Sequence, residues 1–271
     1  MPGTTLTPSS TTAVIQSETF PVSTINLLED TAQSWYDAGY VNFRRRYSHG
    51  LSFLANYTLA KNLSNAPDFR SPMDESTIPQ NNRALNLEKG PGCDVRHRFA
   101  LSSVYEIPAF RRQVVVRLVT QDWHLSTIYQ VQSGMPLTIS VFGDTANSGT
   151  VLGENPIRAN VTGQPVFGPG THTAAKWFNP AAFAAPPAFT YGNAGRNSVY
   201  GPPLQTLDFA LARTFRFTER ANFQFRAEAF NALNKVNLGT PNRFVNTPQF
   251  GTITMAMTPG REIQLSGRIS F

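Results

Sequence analysis

His97 stands in the run Asp94-Val95-Arg96-His97-Arg98, where a carboxylate and two guanidinium groups flank an imidazole. Proton transfer or metal binding at such a group needs a second histidine or a carboxylate pair at a recognisable spacing, and none accompanies it. The four histidines, His49, His97, His124 and His172, are dispersed and lack the short helical spacing of a zinc site. Cys93 is the only cysteine, which excludes an intrachain disulfide and a cysteine-rich metal centre. Asp68, Asp74 and Glu75 gather carboxylates in one polar segment, without the ligand spacing of a calcium loop. Ser133 and Ser198 have no Gly-x-Ser-x-Gly context, and Gly168-Pro169-Gly170 marks a turn, lacking the strand and helix that frame a phosphate loop. No catalytic residue, metal site or cofactor is expected, and the chain does not read as an enzyme. One group is left: Trp177, Phe178, Phe183, Phe189 and Tyr191 fall within a single irregular stretch. Aromatic faces of that kind contact a carbohydrate or peptide-like solute, or pack on one another, and both readings stay open.

The strands that would carry these loops are legible from the chain's end. Ile263, Leu265, Ile269 and Phe271 are apolar, with Gly267 among them, while Glu262, Gln264, Ser266, Arg268 and Ser270 alternate with them. That is a period-2 strand with one apolar face, long enough when tilted to cross a bilayer. A terminal Phe gains nothing facing water, but it has a place at the interfacial aromatic girdle of an outer-membrane barrel. The segment therefore reads as the closing strand of a transmembrane β-barrel.

Six further strands repeat the pattern: Trp35–Arg46, Leu51–Leu59, His97–Ile107, Trp123–Gln132 (running on through Leu137–Val141), Leu204–Phe215 and Ala221–Leu233. Tyr47-Ser48-His49-Gly50 and Arg216–Arg220 are short turns. Asn62–Arg96, Phe142–Pro203 and Asn234–Gly260 are long, with a strand-like piece at Phe250–Met255. Pro108–Gln121 is intermediate, with a helical turn through Val114–Val119. Residues 1–33 are Thr/Ser/Pro-rich and read as irregular tail or loop, leaving 34–271 as the barrel part. Met1–Thr5 carries neither the basic nor the apolar region of a signal peptide. Outer-membrane barrels have short periplasmic turns and long extracellular loops. The alternation of lengths thus puts the turn at Ser48–Gly50 and the C-terminus on the periplasmic side. About seven spanning strands, an odd number, leave the barrel incomplete.

Composition agrees. Only 15% of residues are charged, 41% are hydrophobic and 20 are Phe, yet no apolar run is long enough for a membrane helix. The net charge of +6 is spread along alternating strands with no cluster longer than Arg44-Arg45-Arg46. A solvated, Arg-lined lumen accounts for it better than nucleic-acid binding. Glu228, Arg226 and Arg268 are expected to form cross-strand ion pairs on that lumen face.

Five segments, in order, resemble the barrels of TonB-dependent receptors, especially the Oar-like acidobacterial group with a carboxypeptidase-regulatory-like domain. They are Arg44-Arg45-Arg46-Tyr47-Ser48-His49-Gly50-Leu51 leading to Asn56-Tyr57-Thr58, and Asp94-Val95-Arg96-His97-Arg98-Phe99. Trp177-Phe178-Asn179-Pro180-Ala181-Ala182-Phe183 follows, with Gly192-Asn193-Ala194-Gly195-Arg196-Asn197 after it. Glu228-Ala229-Phe230-Asn231-Ala232-Leu233-Asn234 with the terminal Phe271 completes the set. The resemblance covers Trp35 to Phe271. It implies a C-terminal segment of a 22-stranded receptor barrel in a Gram-negative outer membrane, taking up a large solute. It also implies a plug and a TonB-contacting segment that this chain lacks, so TonB would be met only through a missing N-terminal region. Outer-membrane lipid and the barrel-assembly machinery are the partners implied, with Ile263, Leu265, Ile269 and Phe271 as the assembly signal. Two alternatives remain: a small self-contained porin or adhesin barrel taking an extra strand from residues 1–33, and a soluble all-β binding module.

Overall fold

The computed structural model describes residues 33–64, 94–109, 116–117, 120–147, 157–218 and 221–271, and the backbone of 12–15, 18–21 and 88–89. Seven long strands form one antiparallel sheet: β1 (Ser34–Ser48), β2 (Leu51–Ser64), β3 (His97–Ile107), β4 (Trp123–Gln132), β5 (Leu204–Arg216), β6 (Asn222–Phe230) and β7 (Glu262–Ser270). Each lies beside its neighbour in sequence, and no ladder among the described residues joins β1 to β7. The architecture is therefore an all-β, up-and-down sheet that does not close. Short connections stand at one end and long loops at the other, with the C-terminus at the short-turn end. At the tightest turn Gly50 has φ +77° and its carbonyl accepts from the Glu106 N–H at 2.7 Å. A side chain there would meet the Glu106 carbonyl.

Pairing propagates two faces across the sheet. One row runs Leu265, Ala227, Leu211, Leu125, Tyr105, Leu51, and the next runs Ile263, Ala229, Phe209, Thr127, Ser103, Phe53. The opposite face carries Gln264, Glu228, Ala210, Ser126, Val104, Ser52, then Ser266, Arg226, Ala212, His124, Glu106. Because strand side chains alternate, a slip of one residue anywhere would invert a strand's faces. The ladders keep register throughout except for one irregularity in β1, between Arg45 and Ser48 beside the turn.

Several expectations are corrected. β4 does not run on through Leu137–Val141. It stops at Gln132, where Gly134 is pressed so close to Gly201 that a Cβ would sit 1.8 Å from its carbonyl oxygen. Leu137, Ile139 and Val141 then turn into a loop core and are buried. Phe250–Met255 forms no strand, because Gly251 takes φ +78° and Phe250 packs edge-on against Phe178. β6 ends at Phe230, short of Leu233, since Asn231 enters the left-handed region at φ +46°. β2 reaches Ser64, five residues beyond the expected end, and pairs there with Glu88–Lys89 inside the expected loop. Within residues 1–33, Thr12–Ile15 and Glu18–Pro21 form a hairpin whose arms are too short to show a period. The helical turn near Val114–Val119 lies partly outside the described residues; Gln121 N–H does donate to Arg117 C=O at 3.0 Å. Cys93, Asp68, Asp74 and Glu75 lie outside them altogether.

The polar face carries the expected arginines, but they are matched by carboxylates. On the registered positions of the polar face, Arg44, Arg98, Arg216, Arg226 and Arg268 are nearly balanced by Glu106, Asp208, Glu228 and Glu262. Arg226 pairs with Glu228 along its own strand, at 2.7 Å, and Arg268 lies opposite the neutral Gln224. Spacing of two residues keeps both partners on one face, so the pair forms without a second strand.

The apolar core lies outside the wall. Leu137, Ile139, Ala159, Trp177, Phe178, Ala182, Phe183, Ala194, Val199 and Ile253 pack together, joined by Val166, Leu238, Val245 and Phe250. All come from residues 133–203 and 231–261, which form a cap on the long-loop end. Trp177 N–H donates to Gly251 C=O at 2.8 Å and Ile253 N–H to Ala174 C=O at 2.7 Å, stitching the two loops. Phe178 is fully buried at the centre. Phe178→Ala should cost the cap about 3–5 kcal/mol. Hydrogen exchange should show cap amides losing protection while β5 and β6 keep theirs.

Candidate functional site

Two surfaces carry what this chain can do: the apolar face of the wall and the cap with its rim. On the wall, the central part of every strand presents apolar side chains on one face: Val41 and Phe43, Ala55 and Tyr57, Phe99 and Leu101, Leu125 and Tyr129, Leu207 and Phe209, Phe225 and Ala227, Ile263 and Leu265. The exceptions in this zone, Ser103 and Thr127, lie directly opposite each other. At the short-turn end the face turns aromatic, with Trp123, Phe215 and Phe223. Phe215 stacks on Phe223 at 6.0 Å, and the Arg213 guanidinium lies 4.3 Å from the Phe215 ring centre. Ile263, Leu265 and Ile269 are each at least two-thirds exposed and Phe271 is 98% exposed. The band is half-buried along the middle strands and exposed at the edge strands, and an unbroken apolar face of this kind meets hydrocarbon, not water.

At the rim, the Asp94–Phe99 segment is a clamp. Asp94 is wholly buried; its Oδ1 accepts from the Asn62 N–H at 2.9 Å and its Oδ2 from the Tyr200 hydroxyl at 3.2 Å. One carboxylate thereby ties β2 to the cap. His97 is exposed and shares a hydrogen bond with the Tyr57 hydroxyl at 2.8 Å. Its backbone exchanges bonds with Ser133, whose Oγ accepts from the His97 N–H at 3.1 Å. Ser133 is thus occupied with structure, and no group of three His, Cys, Asp or Glu side chains converges among the described residues. Arg196, also buried, donates to the Ser64 carbonyl.

The five loop aromatics divide. Trp177, Phe178 and Phe183 are buried in the cap core, Trp177 donating its Nε1–H to the Tyr200 carbonyl at 2.8 Å. The Trp177–Phe183 segment is folded by a 3-10 turn at Pro180–Ala182, capped by the Asn179 side chain. Phe189 and Tyr191 stay exposed, at 70% and 45%. Phe189 sits at φ +61°, a conformation strained for a bulky residue. A cavity of about 210 Å³ between rim and cap is lined by Gln132, Leu204, Leu238, Arg243 and Met257. That is below the usual range for a small-molecule site.

The sequence reading missed the asparagines of the rim. Asn231 accepts from the Lys235 N–H and donates to the Lys235 and Pro259 carbonyls, all within 3.1 Å. Asn237, buried, brackets Gln205 by accepting from its N–H and donating to its carbonyl. Gly192 lets the backbone of Arg158 and Ala159 approach so closely that a Cβ would lie 2.1 Å from a carbonyl oxygen. The only sequence signal was that Asn231, Gly192, Asp94 and Arg196 stand in the recognised segments.

A family model for an outer membrane beta barrel domain matches residues 2–264. Comparison with curated proteins and with solved structures gives no match.

Asp94→Ala would leave the Asn62 amide and the Tyr200 hydroxyl without their buried acceptor, at about 1–3 kcal/mol each. Tyr200→Phe should cost less, because the carboxylate keeps its backbone partner. The protease susceptibility of the cap should rank Asp94→Ala above Tyr200→Phe above the parent.

Proposed function

The chain belongs to the outer membrane beta barrel domain family and is an outer-membrane barrel protein, and from that premise we propose that it forms the C-terminal part of the barrel of a TonB-dependent receptor of the Oar-like group, serving uptake of a large solute. The observation that carries the reading is the direction of the two free edges. β1 and β7 both run toward the short-turn end, so joining them would make a parallel ladder in an otherwise antiparallel wall. Backbone groups in hydrocarbon must all be paired. An antiparallel wall around this sheet therefore takes an odd number of further strands, as a larger barrel supplies. The order of the five recognised segments supports the receptor assignment, and four of them are joints of the rim or cap.

In this reading the chain is not an enzyme. Its apolar face meets outer-membrane lipid, and TonB is engaged through a region N-terminal to the barrel. Phe189 and Tyr191, exposed on the cap, contact the solute. The terminal strand, with Ile263, Leu265, Ile269 and Phe271 on an unpaired edge, offers the barrel-assembly machinery a strand to pair with. A self-contained small barrel is the second reading. Its eighth strand would come from residues 1–33, where the described hairpin has four-residue arms, against the 9–11 residues or so of a spanning strand.

Translating the reading frame upstream of Met1 tests this. A frame continuing through alternating strands, a plug and a signal peptide is the expected result. A stop codon just upstream with its own ribosome-binding site would defeat the receptor reading. The 271-residue chain alone should give no stable single-channel conductance in a planar bilayer.

A further inference from the structure

On the apolar face of β1 the charged residues are Asp37 and Arg45, eight positions apart, with Gly39, Val41 and Phe43 between them. On that face of β5 the polar side chains are Gln205 and Arg213, again eight apart, with Leu207, Phe209 and Leu211 between. Two strands thus bracket the same length, about 26 Å along the strand.

The brackets are not level with the pairing rows. Gln205 lies opposite Val131, which lies opposite Phe99, then Tyr57, then Val41. Asp37 is four residues from Val41 toward the long-loop end, and β1 is four strands from β5. The boundary climbs one residue per strand. With a rise of about 3.3 Å and a strand spacing of about 4.8 Å, that is a tilt of about 35°, within the range of membrane barrels. The bracket then spans about 22 Å along the membrane normal, close to the usual apolar height.

Extending the same slope locates the outer boundary on other strands. It falls on His97 in β3, one residue from Lys61 in β2, and two strands the other way on Arg261, the residue before β7. All are polar. The inner boundary passes Arg45, Tyr105, Trp123, Arg213 and Phe223, with Phe271 just beyond it. The charged residues on these lines are Arg45, Lys61, Arg213 and Arg261 against Asp37, and Asp37 stands directly opposite Lys61. The cation excess of the wall therefore sits on its lipid side, while the polar face is nearly balanced.

We propose that Arg45 and Arg213 on the inner line and Arg261 on the outer line hold the phosphates of bilayer lipids, fixing the height and tilt of the wall. The proposal rests on the barrel reading above. A guanidinium can bury its stem against apolar side chains and aim two N–H donors at one phosphate. Arg213 does the first already, lying over Phe215 and 5.5 Å from the Trp123 ring centre.

The test is flotation of the full chain, refolded from denaturant onto vesicles of phosphatidylcholine alone or with one third phosphatidylglycerol. Three cations near an anionic surface should strengthen partitioning about 100-fold. R45Q/R213Q/R261Q should lose that preference and still float with phosphatidylcholine. R44Q/R98Q/R268Q, which removes equal charge from the polar face, should keep it. Equal loss in both triple variants, or preference kept in the first, would overturn the proposal and leave the barrel standing. Failure of the parent chain to float with either lipid would also overturn the proposal, since these arginines would then reach no lipid phosphate, and would leave the family membership standing.

Discussion

Hydrocarbon offers no partner to a peptide group, and that single constraint organises the chain. It requires a continuous ladder wherever the wall meets lipid, and β1 to β7 supply one across all six of their interfaces. It confines irregular backbone to the ends, where water or protein satisfies it. It also makes the side-chain alternation of each strand a choice between two solvents, so one slipped register would put Arg226 and Glu228 toward lipid and Leu265 toward water. The unpaired edges of β1 and β7 are the one place where the constraint is unmet within the described residues.

The chain solves two different folding problems. The wall holds almost no buried core; its stability comes from backbone pairing and from lipid on its apolar face. The cap is built as water-soluble domains are, with Phe178, Ile139, Val199 and Ile253 inside and asparagine side chains closing its turns. This division explains a composition that is poor in charge yet lacks any long apolar run. Apolar residues are spent at alternate positions in the wall and in clusters in the cap.

The wall was legible in sequence and the cap was not, for a physical reason. Period-2 alternation is local, so β3 over His97–Ile107 could be bounded to the residue, and the faces of β5, β6 and β7 followed from their odd and even positions. Cap packing is long-range: Ser140 forms a bridge to Phe244, and Phe142 N–H donates to the Asn246 side chain across 104 residues. Nothing near Phe178 in sequence says that Phe250 will lie against it. That the arginines of the polar face are nearly balanced by Glu106, Asp208, Glu228 and Glu262 was hidden for a related reason. Total charge is a property of composition, but which face it occupies depends on registers such as Arg213 opposite Trp123. At Asp94–Arg98 the sequence offered adjacent carboxylate, arginine and histidine without the spacing for chemistry, but not what they do; burial and the bond from Tyr200 make Asp94 a tie between wall and cap.

The stitching of the cap has a consequence for the order of events in biogenesis. Its core draws on segments that follow β4, precede β5 and bridge β6 to β7, and none of these can bury its aromatics alone. The cap can therefore mature only after the last four strands stand side by side. Its formation would lag insertion and would serve as a checkpoint, leaving a protease-sensitive outer surface on any molecule whose terminal strand had not yet docked.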